Sequence, residues 1–137
     1  MNVRARGFIR YVWAAPATAV GLVLAGIACA LGATVRMTDG VIEVAGGRVA
    51  SRTPSAPFLL RFVAITFGHV VLGLNHGVLR EHRAHEHAHV RQYERWGILF
   101  FPLYLGSSVA QLIRGRHPYW HNEFERRARA TASAAGV

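Results

Sequence analysis

The sequence has no lysine, one cysteine and one aspartate, and its seven acidic residues face sixteen arginines, for a formal charge of +9 over 137 residues. The solitary Cys29 lies in an apolar run, which excludes an internal disulfide and a cysteine-built zinc cage. Any bound metal therefore has to be held by histidine and carboxylate. The missing lysine, in a chain rich in Ala, Val and Gly, reads as a GC-rich coding bias rather than as a binding face. The arginines flank hydrophobic segments and form no groove-sized stripe interleaved with aromatics, which argues against nucleic acid as a partner and for anionic membrane lipid. Against that charge, 52% of the residues are hydrophobic. The balance is that of a small membrane-associated protein with room for one modest domain.

Tyr11 to Val35 carries no charge over twenty-five positions, long enough as a helix to cross a hydrocarbon core of about 30 Å. Arg4, Arg6 and Arg10 precede it, and Tyr11 and Trp13 stand where an interfacial aromatic belt belongs. The reading is a retained single-pass anchor over residues 1–35. A cleaved signal peptide competes with it through Ala28-Cys29-Ala30, but the run exceeds the usual h-region of about 7–15 residues.

Beyond the anchor, residues 36–137 form the second unit. Asp39-Gly40 is a two-residue hairpin turn that pairs Thr38 with Val41, Met37 with Ile42 and Arg36 with Glu43, the last as a cross-strand ion pair. Arg48 to Arg52 reads as a short strand, Pro54 and Pro57 bound a link, and β-branched and aromatic residues make Phe58 to Val71 a further strand. The expected sheet is a small antiparallel meander. Trp96 to Ile113, uncharged but interrupted by Ser107, Ser108 and Gln111, reads as a buried or interfacial helix.

Between them, Arg80 to Trp96 is a polar helix with Ala84, Ala88, Tyr93 and Trp96 as its packed residues. On it, His85-Glu86-x-x-His89 places two imidazoles one turn apart on one face, with the glutamate rotated by about 100°. Two imidazoles that converge on a zinc ion, with a carboxylate beside the coordinated water, are the minimum equipment for metal-assisted hydrolysis. The bland reading is a solvated helix face, since His82, His85, His87 and His89 crowd together. His82, His85 and His89 also share a face and make a three-histidine site conceivable. His69 and His76, which flank Val70 to Leu74, read as ordinary hydrogen-bonded residues.

A third ligand has to come from elsewhere in the chain. Asp39 lies in the turn, Glu43 is assigned to Arg36, and Glu81 and Glu94 are off the metal-facing turn. The last helix, taken to start at Pro118, offers Glu125 or Glu123. Glu125 is favoured because Phe124 and Ala128 mark the apolar face beside it; Glu123 stays open, with a helix-dipole or arginine partner as its ordinary role. Tyr119, His117 and His121 just upstream are candidates for stabilising a developing oxyanion, and Tyr119 is taken as the catalytic one.

The ordered segments GVIEVAGG, AITFGHVVLG, HEHAHVRQYERWG, PLYLGSS and GRHPYWHNEFERRA resemble a family of small bacterial membrane-anchored proteins of the gluzincin-like HExxH zinc metallopeptidase type, over roughly residues 10–130. The resemblance implies Zn2+ held by His85, His89 and Glu125, with Glu86 as general base and a peptide or protein as substrate. The family pattern Asn-Pro-Phe-Glu-Glu is replaced here by Asn-Glu-Phe-Glu-Arg at 122–126. Where thermolysin-type enzymes carry an aspartate four residues past the ligand, this chain has Arg129. Support for the ligands then falls to Asn122 or Gln92. The expectation is an α+β membrane-anchored metallopeptidase; the alternatives are a non-catalytic His-rich metal carrier and an inactive peptidase relative.

Overall fold

The computed structural model describes residues 3–49 and 64–136. Its α+β layout is the expected one: an N-terminal apolar helix, a four-stranded sheet, and three further helices. Helix α1 (Val3–Ala30) leads into strands β1 (Thr34–Thr38) and β2 (Val41–Ala45). Asp39 and Gly40 both take positive φ, 50° and 77°, as a type I′ hairpin turn requires. The register is the one read from the sequence, with Thr38 opposite Val41, Met37 opposite Ile42 and Arg36 opposite Glu43.

The sheet is mixed rather than a meander. Strands β3 (Ala64–Phe67) and β4 (Val70–Gly73) form a second hairpin, and the order is β1-β2-β4-β3 with β2 and β4 parallel. The expected strand from Phe58 to Val71 is therefore folded back within its described part. Gly68 supplies the turn, at φ 60° and in close approach to Thr18 of α1, where any Cβ would collide. The expected strand from Arg48 begins instead as a 3₁₀ turn, Gly47–Val49. The rest of that strand, the proline link and Phe58 to Val63 lie outside the described residues.

Both faces of the parallel pair are covered, which explains its run of apolar residues. Val41, Ala45 and Val71 pack with Leu79 and Val90 of α2 (His76–Trp96) on one side. On the other, Val44 and Val70 pack with Ala25 and Ala28 of α1. The face of α1 that does this is made of small residues at helical spacing, Ala14, Ala17, Gly21, Ala25 and Ala28, all buried. Its other face exposes Phe8, Val12, Leu22, Val23 and Ile27. Over Gly7–Ala30 this helix is long and apolar enough to cross a membrane.

Helix α2 starts four residues before the expected Arg80, because Asn75 caps it by accepting from the Val78 amide at 2.9 Å. After Trp96 a 3₁₀ turn leads into α3 (Phe100–Ile113), in which Phe100 and Gln111 are buried while Leu105, Leu112 and Ile113 are exposed. At about 21 Å it is by itself short of the hydrocarbon thickness, although the continuous helical stretch His76–Ile113 that contains it is long and apolar enough to cross a membrane. Helix α4 (Glu123–Ala134) begins five residues later than Pro118 predicts. Asn122 is its cap: fully buried, it accepts from the Phe124 amide and donates to Ser108 Oγ and the Tyr104 carbonyl.

Candidate metal centre

Residues 85 and 89 sit on the side of α2 that meets α4 and α3. His89 and Glu125 are 7% and 4% exposed. Three pairs of ligand-type atoms converge there: His85 Nε2 lies 3.1 Å from His89 Nε2 and 3.1 Å from Glu125 Oε2, and His89 Nε2 lies 3.4 Å from Glu125 Oε1. A tetrahedral ion with bonds of about 2.0–2.1 Å sets its ligand atoms roughly 3.3 Å apart, and the two separations from His85 Nε2, to His89 Nε2 and to Glu125 Oε2, are close to that edge. Among the described residues, His85, His89 and Glu125 are the group that can hold a metal ion.

The hydrogen-bond network decides which nitrogen of His89 can bind an ion. Gln92 Nε2 donates to the Phe124 carbonyl at 3.0 Å. Its other terminus must then be the amide oxygen, which is 2.8 Å from His89 Nδ1 and can only accept. One ring proton is thereby fixed at Nδ1, so Nε2, which faces His85 and Glu125, is the nitrogen left to offer a lone pair to an ion. This is the outer support a ligating histidine needs. Gln92, one of the two residues expected in that role, makes this contact to His89; Asn122 instead holds the start of α4.

Charge makes the same point. Two buried carboxylates, Glu86 and Glu125, line one cleft of about 210 Å³, and among the described residues no arginine lines it. Burial works to raise the Glu125 pKa, but when no ion is bound, protons on the facing His85 and His89 nitrogens bond the carboxylate and hold it well below the usual range. Burial likewise opposes charge on His89, and the Glu125 carboxylate outweighs it, raising that pKa. A buried carboxylate faced by two imidazole Nε2 atoms, which can exchange their protons for an ion, is chemically suited to a dication.

Protein-family models, curated proteins and solved structures were compared with the chain, and none matches. The chemistry of the cleft is thus read from its own residues.

Glu86, 6% exposed, is gripped by Thr66 of β3, whose Oγ1 donates to Oε2 at 2.7 Å. Tyr119 lines the cleft; burial, then the carboxylates of Glu125 and Glu86, push its pKa up to about 12. Glu123 is elsewhere: its side chain is 47% exposed and pairs with Arg126 at 3.2 Å and Arg127 at 2.8 Å. His117 Nδ1 accepts from the amides of Tyr119 and Trp120 in an exposed turn, and His121 is exposed. His82 leans back to the Val78 carbonyl and is no part of the cluster. His76 bonds Thr34, and His69 is held by Glu94 and stacked on Tyr11. Arg129, four residues past Glu125, donates to the Trp120 carbonyl.

One pairing read from the sequence is corrected. Glu43 faces Arg36 in the strand register but gives its side chain to Arg83 of α2, by two bonds of 2.8 and 2.9 Å. Its carboxylate is 2% exposed under α2, and a two-pronged guanidinium from the covering helix compensates that burial better than an exposed edge-strand arginine.

Two residues of the cleft escaped the sequence reading. Tyr104 of α3 donates to Glu125 Oε1 at 2.6 Å. Its only signal was a polar-tipped aromatic inside an uncharged run. Thr66 was visible only as the one hydroxyl in the Ala64–Phe67 strand.

Proposed function

We propose that the protein is a membrane-anchored, zinc-dependent metallopeptidase of the gluzincin-like HExxH type. The observation that carries this reading is the convergence of His85 Nε2, His89 Nε2 and the Glu125 carboxylate within 3.1–3.4 Å, in the same cleft as a buried Glu86. His85, His89 and Glu125 hold the ion. When bound, zinc supplies Lewis acidity that acidifies water and polarises a peptide carbonyl. Thr66 occupies one oxygen of Glu86 and so directs the other toward the incoming water, whose proton Glu86 removes and later delivers to the leaving amine. The Tyr119 phenol, a hydrogen-bond donor on the cleft wall, is placed to support charge on the carbonyl oxygen. Strand β3 is the outermost strand beside the cleft among the described residues, and an extended peptide adds naturally to such an edge.

Metal analysis combined with a peptide-library cleavage assay tests the proposal. One zinc per chain is expected, lost on Glu125→Ala; Glu86→Gln retains it while cleavage falls by about 10²–10⁴-fold. Several weakly held ions, indifferent to Glu125→Ala, would instead identify a histidine-rich metal carrier. Zinc retained without cleavage by the wild type would identify an inactive relative.

A further inference from the structure

A second groove, of about 220 Å³, runs along the junction of α2 and α4 and shares no lining residue with the metal cleft. Helix α2 contributes Arg91, Gln92, Arg95 and Trp96, one stripe at i, i+1, i+4 and i+5; α4 contributes Arg127 and Thr131, one turn apart. Three guanidinium groups thus border one concavity, and no acidic residue lines it. Arg91 and Arg95 are like charges one turn apart, an arrangement that opposes helix formation unless something negative lies between them.

Elsewhere the arginines with acid partners are plain: Arg10 with Glu94, Arg83 with Glu43, and Arg126 with Glu123. Here only Arg127 has one, Glu123 at 2.8 Å. Among the described residues Arg91 and Arg95 have no carboxylate partner, and the Arg95 guanidinium is steadied over Trp96 at 5.7 Å from the ring centroid. Planar forks held in this way match the oxygens of a tetrahedral anion. Trp96 and Phe124 give the groove an apolar wall for an organic substituent.

We infer that this groove binds a phosphate ester, with Arg91, Arg95 and Arg127 on the phosphate oxygens and the organic part against Trp96 and Phe124. The shared chemistry belongs both to a soluble phosphate ester and to a phospholipid headgroup. The site is independent of the metal reading and stands or falls without it.

The experiment uses the full chain in non-ionic detergent. Glycerol 3-phosphate is titrated against the wild type, with chloride at equal ionic strength as the blank, and binding is read by calorimetry. Flotation with phosphatidylglycerol and phosphatidylcholine vesicles forms the second arm. The R91A/R95A variant removes two exposed side chains, and R114A/R116A removes the same charge from outside the groove. Circular dichroism and zinc content, expected unchanged in both, separate this test from that of the metal centre.

Saturable binding is expected, weakened by at least about tenfold in R91A/R95A and unchanged in R114A/R116A. If the excess of flotation on phosphatidylglycerol over phosphatidylcholine vesicles is lost in R91A/R95A alone, the ester is a lipid headgroup; if that excess holds while glycerol phosphate binding falls, it is a soluble ester. The inference is overturned if the two double variants behave alike in both arms, or if the wild type binds neither probe above its blank.

Discussion

Gln92 is the residue on which the state of the metal cluster turns, because its two ends are fixed by partners of opposite kind. The Phe124 carbonyl demands a donor, so the amide oxygen is left for His89 Nδ1. Removing that oxygen frees the imidazole to change tautomer and to rotate. Gln92→Ala is expected to lower zinc affinity by about 10–100-fold, the usual effect of losing such a support. Gln92→Glu keeps the acceptor and should keep most of the affinity, in competition titrations with a chromogenic chelator. Equal loss in both variants would show that the contact to Phe124, not the acceptor, is what matters.

Glu43 permits a pH argument. Its pKa is lowered chiefly by hydrogen bonds from Arg83, with burial working the other way. A carboxyl depressed in the folded state adds stability that is complete above its unfolded pKa and is lost as pH falls through the folded value. The thermal midpoint should therefore drop below about pH 4.5 more steeply in the wild type than in Glu43→Gln, which has no charge to lose. At neutral pH, Arg83→Ala strands a buried carboxylate and should cost about 3–5 kcal/mol, measured by denaturant unfolding.

At the scale of elements, legibility followed sequence distance. The hairpin at Asp39-Gly40, the HExxH helix and the preference for Glu125 over Glu123 rested on local signals: a turn dipeptide, a helical repeat, and an apolar stripe one residue wide. The parallel β2–β4 contact joins segments separated by the whole 46–69 stretch, and nothing in either strand says which neighbour it will choose. Glu43 and Arg83 are forty positions apart, so the nearer Arg36 was the only partner that register could offer. The start of α4 was misplaced because proline favours a first turn, whereas Asn122 has a buried side chain that satisfies the helix amide, a fact visible only in three dimensions.

The packed side of α1 belongs to the same lesson. As sequence, Gly21 is one more small residue in an apolar run; in the fold, a Cβ there would meet Val70 Cβ at 2.7 Å and the Phe67 carbonyl oxygen at 2.9 Å. Backbone cannot yield as a flexible side chain does. Gly21→Val should therefore separate α1 from the sheet and cost on the order of 1–3 kcal/mol, while Gly26→Val, which meets nothing within 4 Å, should be tolerated. Comparison of the two thermal midpoints separates packing from a general effect of valine on the helix.

For the molecule as a whole, α1 is both a layer of the fold and an exposed apolar surface. One face closes the sheet over Val44 and Val70; the other exposes Val12, Val23 and Ile27 at 55%, 66% and 55%. Open sheet edges are not tolerated in hydrocarbon. On the proposed membrane anchoring, contact of α1 with lipid comes through its outer face, with the strands on the aqueous side of the helix. Polar residues on that face should release the protein from membranes without unfolding it, because no core contact is touched. The triple variant Val12→Ser, Val23→Ser, Ile27→Ser is expected to leave zinc content and thermal midpoint near wild type while moving the protein from the floating to the soluble fraction on a density gradient. Deleting residues 1–33 uncovers the sheet and should instead give an aggregated chain. A triple variant that still floats would show that the outer face of α1 is not what meets the lipid.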